Sequence, residues 1–113
     1  MILFFNEGYV NLVKSFLCNI EALDATFASE HVILLAASSA AADSVKKFMP
    51  KTAKDNTFTL SGCPVREAVE FGTVGHLTLE LERLYAQQRL IRDGVNHMII
   101  EADAVWLSTK LPR

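Results

Sequence analysis

The chain has 113 residues, of which 50% are hydrophobic and 21% charged, and its formal net charge is −2. This length suits one small domain, and the composition is that of a globular protein, which excludes a disordered or fibrous chain. The charge excludes nucleic-acid binding through a basic surface. The apolar runs are far shorter than a membrane span of ~20 residues, so no transmembrane segment is predicted in this chain.

The first half of the chain alternates apolar strands with an amphipathic helix. The run Ile2–Phe5 is continuously apolar and predicts a strand, followed by turn chemistry at Asn6-Glu7-Gly8. From Tyr9 to about Asp24, apolar residues recur at intervals of three and four, which predicts a helix. Val32–Ala36 shows no alternation, which predicts a strand covered on both faces, as in a parallel sheet.

The middle of the chain predicts a short helix and a third strand. Ala40–Phe48 has helical spacing and is closed off by Pro50. Lys51–Asn56 is polar and is expected to be a connection. Thr57–Leu60 alternates between polar and apolar residues, which predicts a strand nearer the edge of the sheet.

The longest helical pattern runs from Thr73 to Asp93, and Gly94 is well placed to end it. Its apolar residues are expected on one face: Leu77, Leu81, Leu84, Tyr85 and Ile91. A fourth apolar strand follows. The order strand, helix, strand, helix, strand, helix, strand predicts an α/β fold with an open, mostly parallel Rossmann-like sheet and flanking helices.

Two acids interrupt the last apolar stretch, which reads His97-Met98-Ile99-Ile100-Glu101-Ala102-Asp103-Ala104-Val105-Trp106-Leu107. Ligands of open parallel sheets bind at the carboxyl ends of strands, where Glu101 and Asp103 fall. Positions i and i+2 of an extended segment point the same way, roughly 6–7 Å apart, so both carboxylates can face one ligand. Two hard oxygen donors favour Mn²⁺ or Mg²⁺. The alternative is a strand end at which both acids meet solvent or cap the next turn.

This stretch resembles the central motif of Golgi-type nucleotide-diphospho-sugar transferases with a GT-A fold, in which an apolar strand ends in Asp-x-Asp and an aliphatic pair, Trp and Leu follow. The likeness extends to Phe71-Gly72-Thr73, to the long helix with Arg83 and to its stop at Gly94. Asn6-Glu7-Gly8-Tyr9 with Phe16-Leu17-Cys18 resembles the family's first strand and helix. The resemblance covers nearly all of this chain, but only the donor-binding half of a typical family member.

The resemblance implies that the chain binds a nucleotide sugar, a UDP-sugar, through a divalent metal. Asp103 would ligate the Mn²⁺ or Mg²⁺ ion that bridges the two phosphates, and Glu101 would hold the ribose or the water shell of the ion. The ion would stabilise the departing nucleoside diphosphate as a Lewis acid. Further donor contacts would come from Asn6, Gly8, Tyr9 and Arg83. No residue is assigned as a catalytic base, and the glycan or glycoprotein acceptor is not identified.

Three positions depart from the family pattern. Glu101 stands where the family has the first Asp of Asp-x-Asp, Ser38 stands where an Asp is common, and Ser108-Thr109-Lys110 replaces an Arg-Asp-Pro. The segments that bind the acceptor are also missing. We therefore expect residues 1–113 to be one partial nucleotide-sugar-binding domain, a fragment of a longer, membrane-anchored glycosyltransferase of the Golgi lumen.

Simpler structural roles compete with these assignments. Trp106 is expected in the core rather than as a stacking platform, since it lies beyond the predicted ligand edge. Arg83 is expected to be a solvated helix residue more than a donor contact. The histidines have no metal-ligand spacing, so no zinc site is predicted. Cys18 and Cys63 are expected to be free thiols, although the sequence does not test a bridge between them.

Two hypotheses remain at this point. The first is the donor-binding region of a metal-dependent glycosyltransferase. The second is a non-catalytic Rossmann-like α/β module or an inactive relative of the transferases, in which the two acids serve folding or partner binding.

Overall fold

The structure, a computed structural model, describes residues 1–60 and 62–110; Ser61 and the three residues after Lys110 lie outside it. The described residues form a parallel four-stranded sheet, in the spatial order β3-β2-β1-β4. Its strands are β1 (Ile2–Phe5), β2 (Ile33–Ala36), β3 (Thr57–Thr59) and β4 (Ile99–Ile100). The predicted α/β class with a parallel sheet is confirmed, and the arrangement is consistent with a Rossmann-like fold. The predicted position of the third strand at an edge is also confirmed.

Helices connect the strands in the expected order. A 3-10 turn, Glu7–Tyr9, leads from β1 into the first helix. The helices are α1 (Val10–Leu23), α2 (Ala25–His31), α3 (Ser39–Phe48), α4 (Pro50–Ala53) and α5 (Val74–Arg92). Within the described residues, no helix has both the length and the apolar character needed to cross a membrane.

The main core lies on one face of the sheet, under α1 to α4. Leu3 and Phe5 of β1 point into it, together with Leu34 and Ala36 of β2, because every second residue of a strand faces the same side. The two strands pair in register, with Leu3 opposite Leu34 and Phe5 opposite Ala36. Buried residues of the helices close this core: Val13, Phe16, Leu17, Ile20, Ala28, Ala41, Ala42, Val45 and Ala53.

The opposite face of the sheet carries a thinner layer made by α5 and the segment that precedes it. The connections from β1 to β2 and from β2 to β3 advance in one direction, whereas the connection to β4 returns past β1. Right-handed crossovers in opposite directions place their helices on opposite faces. Leu79 of α5 accordingly packs with Ala37 and Cys63 and against Phe4 of β1, in a second, smaller cluster.

Two predicted connections differ from the structure. Asp24 ends α1 and at once caps α2, its side chain accepting from the backbone N–H of Phe27 at 2.9 Å. A second helix therefore fills the space before β2, where none was predicted. The polar connection predicted for Lys51–Asn56 was partly wrong as well, because Pro50 begins the single-turn helix α4 instead of only ending α3.

The predicted face of α5 exists but does not meet the core. Leu77, Leu81, Leu84, Tyr85 and Ile91 are all more than half exposed. Within α5, which lies wholly in the described part of the chain, only Leu79 is buried. The helix starts behind its N-cap Thr73 and ends before Gly94, whose φ of +73° confirms the predicted glycine stop.

The end of the chain folds back onto α1. The side-chain amide of Asn19 donates to the carbonyl of Trp106 at 3.0 Å and accepts from its backbone N–H at 2.7 Å. The Trp106 ring packs against the main core, as predicted for it. Both cysteines are free thiols: Cys18 is exposed on α1, and Cys63 is buried.

Candidate functional site

A cleft of about 490 Å³ opens beside the carboxyl ends of β1 and β4. The strand order reverses between these two strands, because β2 and β3 lie on one side of β1 and β4 lies on the other. At such a switch point the two connections leave toward opposite faces, which opens a crevice at the carboxyl edge. The residues that follow β1 and β4 line the cleft, and α5 forms its wall. This is the position at which doubly wound sheets bind ligands.

The acidic pair lies in this cleft. Glu101 and Asp103 both line it, and both are exposed to water. They are not part of a continuing strand, because β4 ends at Ile100 and the N–H of Ala104 donates to the carbonyl of Glu101 at 3.2 Å, closing a turn. The two-residue alternation of an extended strand therefore does not govern these side chains. The turn still presents both carboxylates to one space.

Arg83 reaches into the same cleft from α5. Its guanidinium forms ion pairs with Glu101 and with Glu80, three residues earlier on the helix. The side chain is 23% exposed, and its Nε is buried without a hydrogen-bond partner among the described residues. Arg83 is therefore not a solvated surface residue. The cleft thus contains three carboxylates, those of Glu80, Glu101 and Asp103, and one guanidinium, so these four groups carry a formal charge of −2.

Asn6 lies at the carboxyl end of β1, as predicted, but it is 1% exposed and its amide is fully engaged. The oxygen caps the 3-10 turn by accepting from the N–H of Gly8 at 3.0 Å. The nitrogen donates to the carbonyls of Val65 and Glu67, at 3.1 and 2.8 Å. The polar atoms of Asn6 therefore hold the segment 62–73, which lies across the end of β1.

Gly8 and Tyr9 hold the same segment. The N–H of Gly8 also donates to the carbonyl of Arg66 at 2.9 Å, and a Cβ at this glycine would come within 2.0 Å of the backbone nitrogen of Ala68. The Tyr9 hydroxyl donates to the carbonyl of Val69 and accepts from its N–H, both at 3.2 Å. Gly8 thus fits closely under the segment, whereas the Tyr9 ring still lines the cleft.

Ser38 occupies the carboxyl end of β2. Its hydroxyl caps α3 by accepting from the N–H of Ala41 at 3.2 Å and donates to the carboxylate of Glu7 at 2.8 Å. Glu7 also pairs with Arg66 at 3.3 Å. The serine therefore links the start of α3, after β2, to the turn that follows β1.

Sequence reasoning missed three residues of the cleft. None of Glu80, His76 and Phe71 was predicted to be a site residue. His76, Glu80 and Arg83 are spaced at i, i+4 and i+7, so one helix face carries all three into the cleft. Because Arg83 was already a candidate site residue, this spacing was a sequence signal that Glu80 and His76 lie in the same cleft. Phe71 lies at the entrance, with its ring centroid 4.8 Å from that of His76.

The donor set of the cleft fits one kind of cation. The described residues contain no group of three or more His, Cys, Asp or Glu that could enclose a metal ion. Two exposed carboxylates are insufficient for a cation held by protein alone. They suit Mg²⁺ or Mn²⁺, which keep several waters and take further ligands from phosphate.

Comparison with models of protein families, with curated proteins and with solved structures finds no match to this chain. The fold and the geometry of the cleft therefore carry the functional argument.

Proposed function

We propose that this chain is the donor-binding region of a metal-dependent glycosyltransferase, which binds a nucleotide sugar in the cleft between β1 and β4. Asp103 and Glu101 hold Mn²⁺ or Mg²⁺, and the ion binds the diphosphate of the donor. The observation that supports this proposal most directly is that both acids and Arg83 line one cleft at the switch point of a parallel sheet. The Golgi lumen, expected from the sequence resemblance, belongs to the same proposal.

Charge makes the cation a requirement. The three carboxylates and one guanidinium of the cleft carry a formal charge of −2, and a diphosphate would add more negative charge to it. Unit charges of like sign at 4 Å repel by about 1 kcal/mol in water, and by more where water is partly excluded. A divalent ion neutralises the two charges and attracts the phosphate oxygens by coordinating them directly. The diphosphate is therefore expected to bind together with the ion and poorly without it.

The two carboxylates are not equivalent. Glu101 is already paired with Arg83, whereas Asp103 has no ion-pair partner among the described residues. Asp103 is therefore the primary ligand of the ion, and Glu101 contributes through the water shell of the ion or through the ribose. Arg83 keeps Glu101 in place and offers its remaining hydrogen-bonding capacity to the donor. When bound, the ion would supply charge stabilisation to the departing nucleoside diphosphate.

The nucleoside is expected to contact apolar and aromatic surface. The polar atoms of Asn6 and Gly8 are occupied by the segment 62–73, so they are not free to recognise a base. The Tyr9 ring, Leu12 and Phe71 line the same cleft beside the acids. Aromatic faces bind bases by stacking, and this binding tolerates different bases. Specificity for uridine and for the sugar is therefore not assigned to these residues.

The same occupied polar groups favour the second candidate, a non-catalytic α/β module. In that case the segment 62–73 permanently covers the carboxyl end of β1. Glu101 and Asp103 then only lie in a turn exposed to solvent. The two candidates differ in one measurable property, which is the thermodynamic coupling between a divalent ion and a nucleoside diphosphate.

The experiment titrates the chain with Mn²⁺, with UDP, and with each in the presence of the other, by calorimetry. We expect each ligand to raise the affinity of the other by at least about tenfold, which corresponds to about 1.4 kcal/mol of coupling. Asp103→Asn should abolish the coupling. Asp55→Asn, at an exposed turn before β3 on the opposite edge of the sheet, should keep it.

Paramagnetic broadening of amide NMR signals by Mn²⁺ locates the ion without relying on heat. In the presence of UDP, the signals of Glu101 to Ala104 should broaden first, and those around Asp55 should not. If UDP binding is independent of Mn²⁺, or if the broadening is the same in Asp103→Asn, the glycosyltransferase proposal is wrong and the non-catalytic module remains.

A further inference from the structure

The outward face of α5 carries a regular apolar row. Val74, Leu77, Leu81, Leu84 and Ile91 follow at intervals of three and four residues, with Gln88 completing the series. All five apolar side chains are more than half exposed, and Gln88 is exposed too. We call these six residues the α5 row. Leu79, the buried residue of the helix, lies on the opposite face.

This spacing is the heptad pattern of a helix that pairs with another helix. Alternating intervals of three and four place the residues of the α5 row at successive a and d positions, the seam of a coiled coil. A period of 3.5 residues keeps such a seam together over almost three heptads by left-handed supercoiling. Gln88 is the one polar residue of the row, and it occupies an a position. The row therefore has the features of an interface and not only of exposed leucines.

The chain exposes more surface than a folded monomer of its mass is expected to expose. A folded monomer of 12.5 kDa exposes about 6,200 Å² by the usual scaling with mass, whereas this chain exposes 7146 Å². The excess is on the order of 1,000 Å². A standard protein interface buries about 800 Å² on each partner. This excess is about the area of one side of a standard interface, and it includes the α5 row together with exposed side chains elsewhere, such as Phe71 and Leu107.

We infer that the α5 row binds the α5 row of a second copy of this chain, antiparallel, about a two-fold axis near residues 82 and 83. The row is self-complementary in this orientation: Val74 of one copy meets Ile91 of the other, Leu77 meets Gln88, and Leu81 meets Leu84. Each layer then joins an a position of one helix to a d position of the other, which is the arrangement of antiparallel coiled coils. Both copies use the same surface, so the contact forms a closed dimer. Opposed helix dipoles favour the same orientation.

The pairing is compatible with the cleft. Successive residues of a helix are rotated by about 100°, so Leu79 and Arg83 point away from the α5 row. The dimer therefore leaves the cleft open to ligand, and it does not depend on the function proposed for that cleft.

Sedimentation velocity of the full chain over a range of concentrations tests the association. We expect a species of twice the 12.5 kDa mass that dissociates on dilution. The double variant Leu81→Glu/Leu84→Glu should raise the dissociation constant by at least about a hundredfold, because four leucines leave the interface. Both positions are exposed in the single chain, so circular dichroism should show an unchanged fold.

The matched control is Phe58→Glu, an equally exposed apolar side chain on the edge strand β3, which should leave the dimer intact. Orientation is tested by cysteine cross-linking in a Cys18→Ser background. Leu77→Cys and Gln88→Cys should cross-link only when the two variants are mixed, whereas a parallel pair would join Gln88→Cys to itself. A chain that stays monomeric, a dimer unaffected by the double variant, or self-cross-linking of Gln88→Cys would overturn the inference.

Discussion

Arg83 and Glu101 form an ion pair across the cleft, between α5 and the residue that follows β4. The pair joins two elements from different layers of the fold, because α5 covers one face of the sheet and β4 is a strand at its edge. The same guanidinium binds Glu80, so one cation sits between two acids in a cleft that contains a third. The balance of charge in the cleft therefore depends on Arg83.

Replacing this arginine should strengthen the binding of a cation alone. Arg83→Gln leaves three carboxylates without a counter-charge, and a unit charge at about 8 Å from a divalent ion interacts with it by about 1 kcal/mol in a water-like dielectric. We therefore expect the affinity for Mn²⁺ without nucleotide to rise about fivefold at low salt, measured by calorimetry. Arg89→Gln removes an exposed arginine near the end of the same helix and should leave the affinity unchanged. An unchanged or weaker affinity in Arg83→Gln would contradict a cation site in this cleft.

Most strands and helices could be predicted from the sequence. Ile2–Phe5 matches β1, and the predictions for β2, β3, α3 and α5 differ from the structure by one or two residues at an end. β1 and β2 could be predicted because burial on both faces leaves little choice of structure. The two helices could be predicted from their helical spacing. Asp24 shows the opposite case. It is the C-cap residue of α1 and also the N-cap residue of α2. The sequence analysis recognised only the end of α1, so α2 was not predicted.

The orientation of α5 could not be predicted, because a periodic apolar stripe does not state which surface covers it. Leu77 and Leu81 look like core residues in the sequence but point outward, while the polar Glu80 and Arg83 point into the cleft. Glu101 and Asp103 do lie at the edge of the sheet where the sequence placed them, just after the carboxyl end of β4. The long-range contacts of Asn6 and Tyr9 with the segment 62–73 have no local sequence signal, since they join residues about sixty positions apart.

Asn6 should be sensitive to a change of charge at constant size. Asn6→Asp keeps the oxygen that caps the 3-10 turn but loses both donors to Val65 and Glu67 and puts a carboxylate beside their carbonyls. Loss of two buried hydrogen bonds together with burial of a charge is expected to cost about 2–4 kcal/mol of unfolding free energy, measured by urea denaturation at neutral pH. Asn6→Ser, which keeps an acceptor and adds no charge, should cost less. Equal losses in both variants would mean that the two carbonyls do not constrain this position.

Gly8 should tolerate no side chain. The Cβ of Gly8→Ala would lie 2.0 Å from the backbone nitrogen of Ala68, so the segment 62–73 must move away from the end of β1. We expect a loss of about 1–3 kcal/mol in unfolding free energy and faster cleavage by trypsin after Arg66.

Gly94→Ala serves as the control for this prediction. It forces an alanine into a left-handed backbone conformation, with φ near +73°, and should cost about 1 kcal/mol without exposing Arg66. Trypsin cleavage at Arg66 that is equally fast in both variants would show that the segment is not held by Gly8.

The two hydrogen bonds between Asn19 and Trp106 give the last prediction. They attach the segment after the acidic turn to α1, and the Trp106 ring packs against the main core beside this contact. Asn19→Ala removes both bonds and should lower the unfolding free energy by about 1–2 kcal/mol. Because Trp106 is the single tryptophan of the chain, its fluorescence reports the change directly, and its emission should shift to longer wavelength as water reaches the ring. Asn11→Ala, at an exposed position of the same helix, should change neither quantity. If emission and stability of Asn19→Ala equal those of the unmodified chain, the apolar contacts of the ring alone hold this segment, and the acidic turn is positioned without help from α1.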